Sequence, residues 1–301
     1  MIYSGRGSID YLAGECRKED PGESSHWQKY HASFRFSGKG FEGLQGFGGC
    51  RSPHTGLRRI LHHLLQGRFR RLGSEFAEFQ ILDRLGYTIT EREGRAYDLD
   101  VLRQVLTLAF LKQILPNALS ANTTACVIGD GFASMATLLL ACRAASRVVL
   151  VNLTKTLLVD LWYLRLWMGS AVFESQVDLV TDMVGVHRSL ASSTLCGTGQ
   201  RVVAIQAMHH DLMREYPIDI TINIASMQEM DPPAIAAYFD DLRAIASRRT
   251  LFFYCCNREE KTLPDGTVTR FAEYPWKRGD RLIVDALCPW HQFYYSLIPP
   301  F

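Results

Sequence analysis

The sequence lacks any apolar stretch approaching the length of a membrane span, and its start, MIYSGRGSIDYLAGE, carries neither a basic leader nor an apolar one. These absences point to a cytoplasmic protein with no membrane span. Charge of one sign is also lacking: a formal net charge of +2 over 301 residues is too small to draw a chain to nucleic acid. The local basic concentration Arg58, Arg59, Arg68, Arg70 and Arg71 has none of the interleaved aromatics of an RNA-binding module and reads as a solvated helix face. The eight cysteines form no CxxC pair, and several lie in apolar runs, which favours buried free thiols over disulfides or a zinc site. Adjacent Cys255 and Cys256 would point to opposite faces of a strand. No GKS or GKT follows the glycines of SGKGFEGLQGFGGC (37–50), so a phosphate-cradling loop is not expected there, and no internal repeat is present.

What is present is a globular balance, 47% hydrophobic and 21% charged. Residues 1–56, rich in Gly, Ser, Arg and Lys, read as a long loop or mobile arm. From Gly56 to Leu119 the period becomes helical, with apolar stripes at Leu57, Ile60, Leu61, Leu64, Leu65 and at Val101, Val105, Leu108, Leu111, Leu115. Pro116 and Asn117 close the last of these helices. Thereafter strand and helix signals alternate, the signature of a mostly parallel sheet with crossover helices. Strands are expected at 124–128, 147–151, 202–206, 218–224 and 250–256, and helices at 134–145, 155–168 and 232–247. The segment 170–200 reads as an inserted helix and loop near the active site, and 292–298 as an added edge strand. The expected organisation is an N-terminal arm and helical region (1–119), a candidate acceptor lid, before a Rossmann-like α/β domain (120–301).

The most informative stretch runs from Ala125 through Gly129-Asp130-Gly131 to Ser134: an apolar strand, a glycine turn and a helix start. Glycines there permit a tight turn and close ligand approach, and the helix N-terminus offers free N–H groups. The next strand ends in Asn152, where a nucleoside-binding domain places a hydrogen-bonding side chain. An Asn in that place also caps helices.

VIGDGFAS (127–134), VNLTKTLLVDLWYL (151–164), IDITINIASMQEMD (218–231) and FFYCCNREEKTLPDGTVTRFAEYPW (252–276), with the closing CPWHQFYY, resemble class I S-adenosylmethionine-dependent methyltransferases, and within them the sugar O-methyltransferase family. The general resemblance covers residues 120–260. It implies an S-adenosyl-L-methionine cofactor held by Gly129, Asp130, Gly131, Phe132, Asn152, Gln206 and Met208, and a small-molecule or glycan acceptor. Three positions depart from that family's pattern: Val127 and Asn152 stand where acidic residues are usual, and Ala133 where a third glycine is. Asp130 is the candidate to take over the contact to the methionine amino group.

Residues just beyond strands three and four should face donor and acceptor. Met208, His209, His210 and Asp211 follow one, and Ser226, Gln228, Glu229 and Asp231 the other. Methyl transfer to a hydroxyl needs a proton acceptor, for which His210 or Glu229, with His209 beside them, are candidates. Asp231 before two prolines reads as a helix N-cap. Gln228, Asn257, Arg258, Tyr274 and Trp276 are candidate acceptor contacts, the aromatics through stacking on sugar rings. No spacing diagnostic of a metal is seen. The readings set against this one are a nicotinamide-dependent oxidoreductase, disfavoured because Ser134 occupies the last position of GxGxxG and no Tyr-x-x-x-Lys pair follows, and a noncatalytic cofactor-binding or assembly protein.

Overall fold

The computed structural model describes residues 1–44, 52–195 and 199–292. The strand proposed at 292–298 lies outside them, apart from Gln292. Seven strands form one sheet: β1 (Ile2–Ser4), β2 (Thr124–Ile128), β3 (Arg147–Asn152), β4 (Val177–Val180), β5 (Arg201–Gln206), β6 (Ile220–Ile224) and β7 (Phe252–Cys256). Their spatial order is β1-β4-β5-β3-β2-β6-β7. Only β1 runs antiparallel, pairing with β4; every other neighbour is parallel. The sheet and its helices are compatible with a Rossmann-like fold, and the strand order reverses at β2, flanked by β3 and β6.

The strands read as continuous apolar runs because both faces of the sheet are covered. Val148 and Leu150 belong to one buried cluster, Val149 and Val151 to another, the two-residue period dividing a single strand between two cores. The first core takes in helices Arg6–Glu15, Phe79–Arg92, Leu99–Ile114, Ser134–Ala141 and Thr154–Met168; the second takes in helix Pro232–Ala246. Burying one such aliphatic side chain contributes about 1.5–3 kcal/mol. Leu82, Val105 and Leu108 share their cluster with Val127 and Leu150, so the helical region before residue 119 does not have a core apart from the sheet.

Two expectations are corrected. Residues 1–44 are not a loop: they contain β1, helix Arg6–Glu15, helix Ser25–His31 and a short hairpin, Arg35–Phe36 with Phe41–Glu42. A three-residue strand and a seven-residue helix are too short to show a period among the glycines. Segment 170–200 contributes helix Ser170–Gln176, β4 and helix Met183–Leu195 at the β1 edge of the sheet, and none of it lines the main cavity. The stripe of helix Gly56–Leu65 is amphipathic as expected, yet Leu57, Ile60, Leu61 and Leu64 are exposed. Asp231 occupies the N-cap position of helix Pro232–Ala246 without a side-chain capping bond. Among the described residues no helix is long and apolar enough to cross a membrane.

Candidate functional site

A cavity of about 540 Å³ opens beyond the carboxyl ends of β2, β3 and β6, where the strand order reverses. That is the place an open α/β sheet offers a ligand. Gly129, Asp130, Gly131, Phe132, Asn152, Met208, His210 and Glu229 line it. So do Pro21, Ser24 and Trp27 from the N-terminal segment, Arg95 and Gln104 from the helical region, and His291 near the C-terminus.

The turn after β2 is held in an uncommon conformation. Gly129 and Gly131 have φ of 70° and 64°, and the non-glycine residues Phe132 and Ala133 follow at 67° and 49°. A Cβ on Gly129 would collide with Ser226 Oγ, so the first glycine is required by packing as well as by dihedral angle. Left-handed non-glycine residues persist only where their surroundings fix them. Here the Ala133 N–H donates to buried Asp160 Oδ1 at 2.8 Å, and the Phe132 ring packs edge-on against Tyr163 beneath the Arg95 guanidinium.

Asp130 does not stand free to meet an ammonium group. Its Oδ1 accepts from the Met135 N–H at 2.9 Å and its Oδ2 from the Ala136 N–H at 2.8 Å, capping helix Ser134–Ala141 from inside the turn. Asn152 is likewise engaged: Nδ2 donates to Asp160 Oδ2 at 2.8 Å and Oδ1 accepts the Leu153 N–H at 3.0 Å. Asp160 therefore ties the glycine turn to the end of β3. A lone carboxyl in the apolar run Leu157-Leu158-Val159-Asp160-Leu161 was the signal for it in the sequence.

Acid exceeds base around this turn. Arg95, itself buried, donates to Glu93 Oε2 through Nε at 2.8 Å and Nη2 at 2.6 Å, and through Nη2 to Ser134 Oγ at 3.1 Å. It is the guanidinium acting on three carboxyls, Glu93, Asp130 and Asp160. Burial pushes Glu93 up to about 7 against the pull of Arg95, and Asp130 up to about 6 against its helix N–H bonds. Burial and the neighbouring Asp130 raise Asp160 well above the usual carboxylate range.

Beyond β5, His210 lines the cavity with Nδ1 2.5 Å from Oδ2 of fully buried Asp241, whose Oδ1 is 2.5 Å from Arg214 Nε. Glu229 is not poised as a base. Burial raises its carboxyl, but His26 and Lys261, at 3.3 and 2.6 Å from Oε1, outweigh that and hold it below its ordinary value.

The remaining expected residues lie outside the cavity lining. Gln206 is buried beneath it, Nε2 donating to Thr154 Oγ1 at 2.9 Å; His209 is half-buried in the turn Ala207–Glu215. Gln228, Asn257 and Arg258 knit two loops together. The Gln228 N–H donates to Asn257 Oδ1 at 3.0 Å, Asn257 Nδ2 to Asn223 Oδ1 at 2.8 Å, and the Arg258 N–H to Gln228 Oε1 at 2.8 Å. Tyr274 and Trp276 pack with Phe239 and Phe271, and Trp276 Nε1 donates to the Phe271 carbonyl at 2.9 Å. Tyr274 is buried in this cluster and Trp276 is exposed at its edge, whereas Trp27, Phe132 and Tyr238 are aromatic residues that do line the cavity. No family model matches the chain, and no curated protein or solved structure matches it.

Proposed function

We propose that the chain is an S-adenosylmethionine-dependent methyltransferase acting on a hydroxyl of a sugar or glycan. The observation that carries the choice of cofactor is the carboxylate of Asp130 seated on the N-terminus of helix Ser134–Ala141. A dinucleotide places its pyrophosphate on those N–H groups. Here they are already bonded to the Asp130 carboxylate, and burial holds Glu93 and Asp160 toward their neutral forms, so further negative charge is disfavoured there. The surplus of acid around the turn favours a ligand with positive groups, and S-adenosylmethionine carries a sulfonium and an ammonium. The glycine turn and Asn152 also line a volume within the roughly 300–1,000 Å³ range of small-molecule sites.

Bound there, the cofactor would supply an electrophilic methyl group. The chain's own part is to orient the acceptor and take its proton. Asp241 fixes the tautomer of His210 by occupying Nδ1, which leaves Nε2 as the ring nitrogen for an acceptor hydroxyl proton. The Asp241 carboxylate holds the ring from behind, as in other carboxylate–histidine pairs. Trp27 offers an apolar face to a sugar ring.

Calorimetric titration with S-adenosylmethionine and S-adenosylhomocysteine, beside NADH and NADPH, tests the reading. Binding of the first pair alone supports it and justifies a screen of sugar acceptors. Binding of a nicotinamide cofactor, or of none of the four, overturns it.

A further inference from the structure

One cluster of side chains plays no part in the acid–base account above. Cys256 ends β7, and Cys288 and His291 lie 32 and 35 positions further along the chain. One ligand atom from each, two sulfurs and an imidazole nitrogen, lies within 4.8 Å of the other two. Tetrahedral zinc, with bonds of about 2.3 Å to sulfur and 2.0–2.1 Å to nitrogen, spaces its ligand atoms roughly 3.4–3.8 Å apart. The three atoms therefore need only a small inward movement to close on an ion.

Three further observations bear on a ligand. His291 Nε2 is buried and has no hydrogen-bond partner, an orphan that costs stability unless something binds it. Cys288 and His291 are locked into one turn by the bond from the His291 N–H to the Cys288 carbonyl at 3.1 Å, the tight Cys-x-x-His spacing that lets two ligands share an ion. The turn is anchored from both sides of Trp290: Arg103 Nε donates to its carbonyl at 2.9 Å, and its Nε1 donates to Thr107 Oγ1 at 3.0 Å.

We propose that Cys256, Cys288 and His291 hold a zinc ion. Two thiolates and an imidazole are a soft, nitrogen-and-sulfur donor set suited to zinc rather than to magnesium or calcium. Three protein ligands leave a fourth position for an exchangeable oxygen such as water, and of the three residues His291 also lines the main cavity. Both cysteines are free thiols in the structure, as expected, and under this proposal they become ligands because the partner of Cys288-x-x-His291 comes from a distant strand.

Metal analysis of the full-length protein, purified without chelator under reducing conditions, is the test. Stoichiometric zinc is expected, lost in Cys288→Ser and in His291→Ala and kept in Cys142→Ser. To keep the test independent of the folding of the ligand variants, the wild-type protein is also titrated with cobalt(II), where sulfur-to-cobalt charge-transfer absorption should appear and the two thiols should become protected from alkylation. Protein that takes up neither zinc nor cobalt, ligand variants that keep the metal, or an intact mass lighter by two hydrogens, the mark of a Cys256–Cys288 disulfide, would overturn the proposal. None of these readouts depends on a methyl donor.

Discussion

His210 Nδ1 and Asp241 Oδ2 stand 2.5 Å apart, a histidine on the cavity wall backed by a carboxylate with no solvent exposure. If His210 takes the acceptor proton, His210→Ala should lower kcat about 10²- to 10⁴-fold, with donor affinity little changed. Asp241→Asn should also lower kcat, by presenting the wrong tautomer. The measurement is turnover on a sugar acceptor found by screening, alongside calorimetry for the donor. Full turnover in His210→Ala would place the base elsewhere.

Asp130 serves two purposes that one substitution separates. In Asp130→Asn the side chain keeps one acceptor and loses its charge, so helix Ser134–Ala141 loses part of its cap at a cost of about 1 kcal/mol. Affinity for S-adenosylmethionine should fall, and affinity for the uncharged-sulfur product S-adenosylhomocysteine should fall less. Equal losses for the two ligands would remove the electrostatic argument for the cofactor.

The raised carboxyls predict a direction for pH dependence. Glu93, moved from 4.5 to about 7, and Asp130, moved from 3.8 to about 6, both bind protons more tightly in the folded chain. Their contribution to stability is therefore fully present below the unfolded carboxylate values and is lost as pH rises through about 6 to 7. The melting temperature of the ligand-free protein should fall across that window, and Glu93→Gln should flatten the fall. A bound cation favours the ionised carboxyls, so S-adenosylmethionine binding in the same window should release protons, measurable as a dependence of calorimetric heat on buffer ionisation enthalpy. Proton uptake on binding would contradict the assignment of charge.

The sheet was legible because period and punctuation are local. The expected strands at 124–128, 147–151 and 202–206 match β2, β3 and β5 to within a residue, and the glycine turn was found because only glycine fits where Ser226 crowds Gly129. Burial and pairing between distant residues were not legible. Nothing near His210 announces Asp241, thirty-one residues away on another helix. Nothing near Glu229 announces Lys261 and His26, which turn a candidate base into a fixed ion pair. Tyr274 and Trp276 carried the right chemistry for a sugar, and only the tertiary structure places them in a cluster with Phe239 and Phe271, away from the cavity lining.

The least legible contact carries the last prediction. Helix Thr154–Met168 begins after Leu153, which has no side chain able to cap it. Asp20, 134 positions earlier in the chain, supplies the cap: its Oδ2 accepts from both the N–H and the Oγ1 of Thr154 at 2.9 Å. A carboxylate there also lies favourably at the positive end of the helix. The same segment brings Pro21, Gly22, Ser24 and Trp27 to the cavity. Asp20→Ala should thus destabilise the fold by about 1–2 kcal/mol and, at a temperature where it remains folded, weaken ligand binding without any change to a residue that lines the cavity. Asp20→Asn, which keeps an acceptor, should recover most of both losses. Chemical denaturation and calorimetry on the two variants measure this, and Asp20→Ala with wild-type affinity would detach the N-terminal segment from the site.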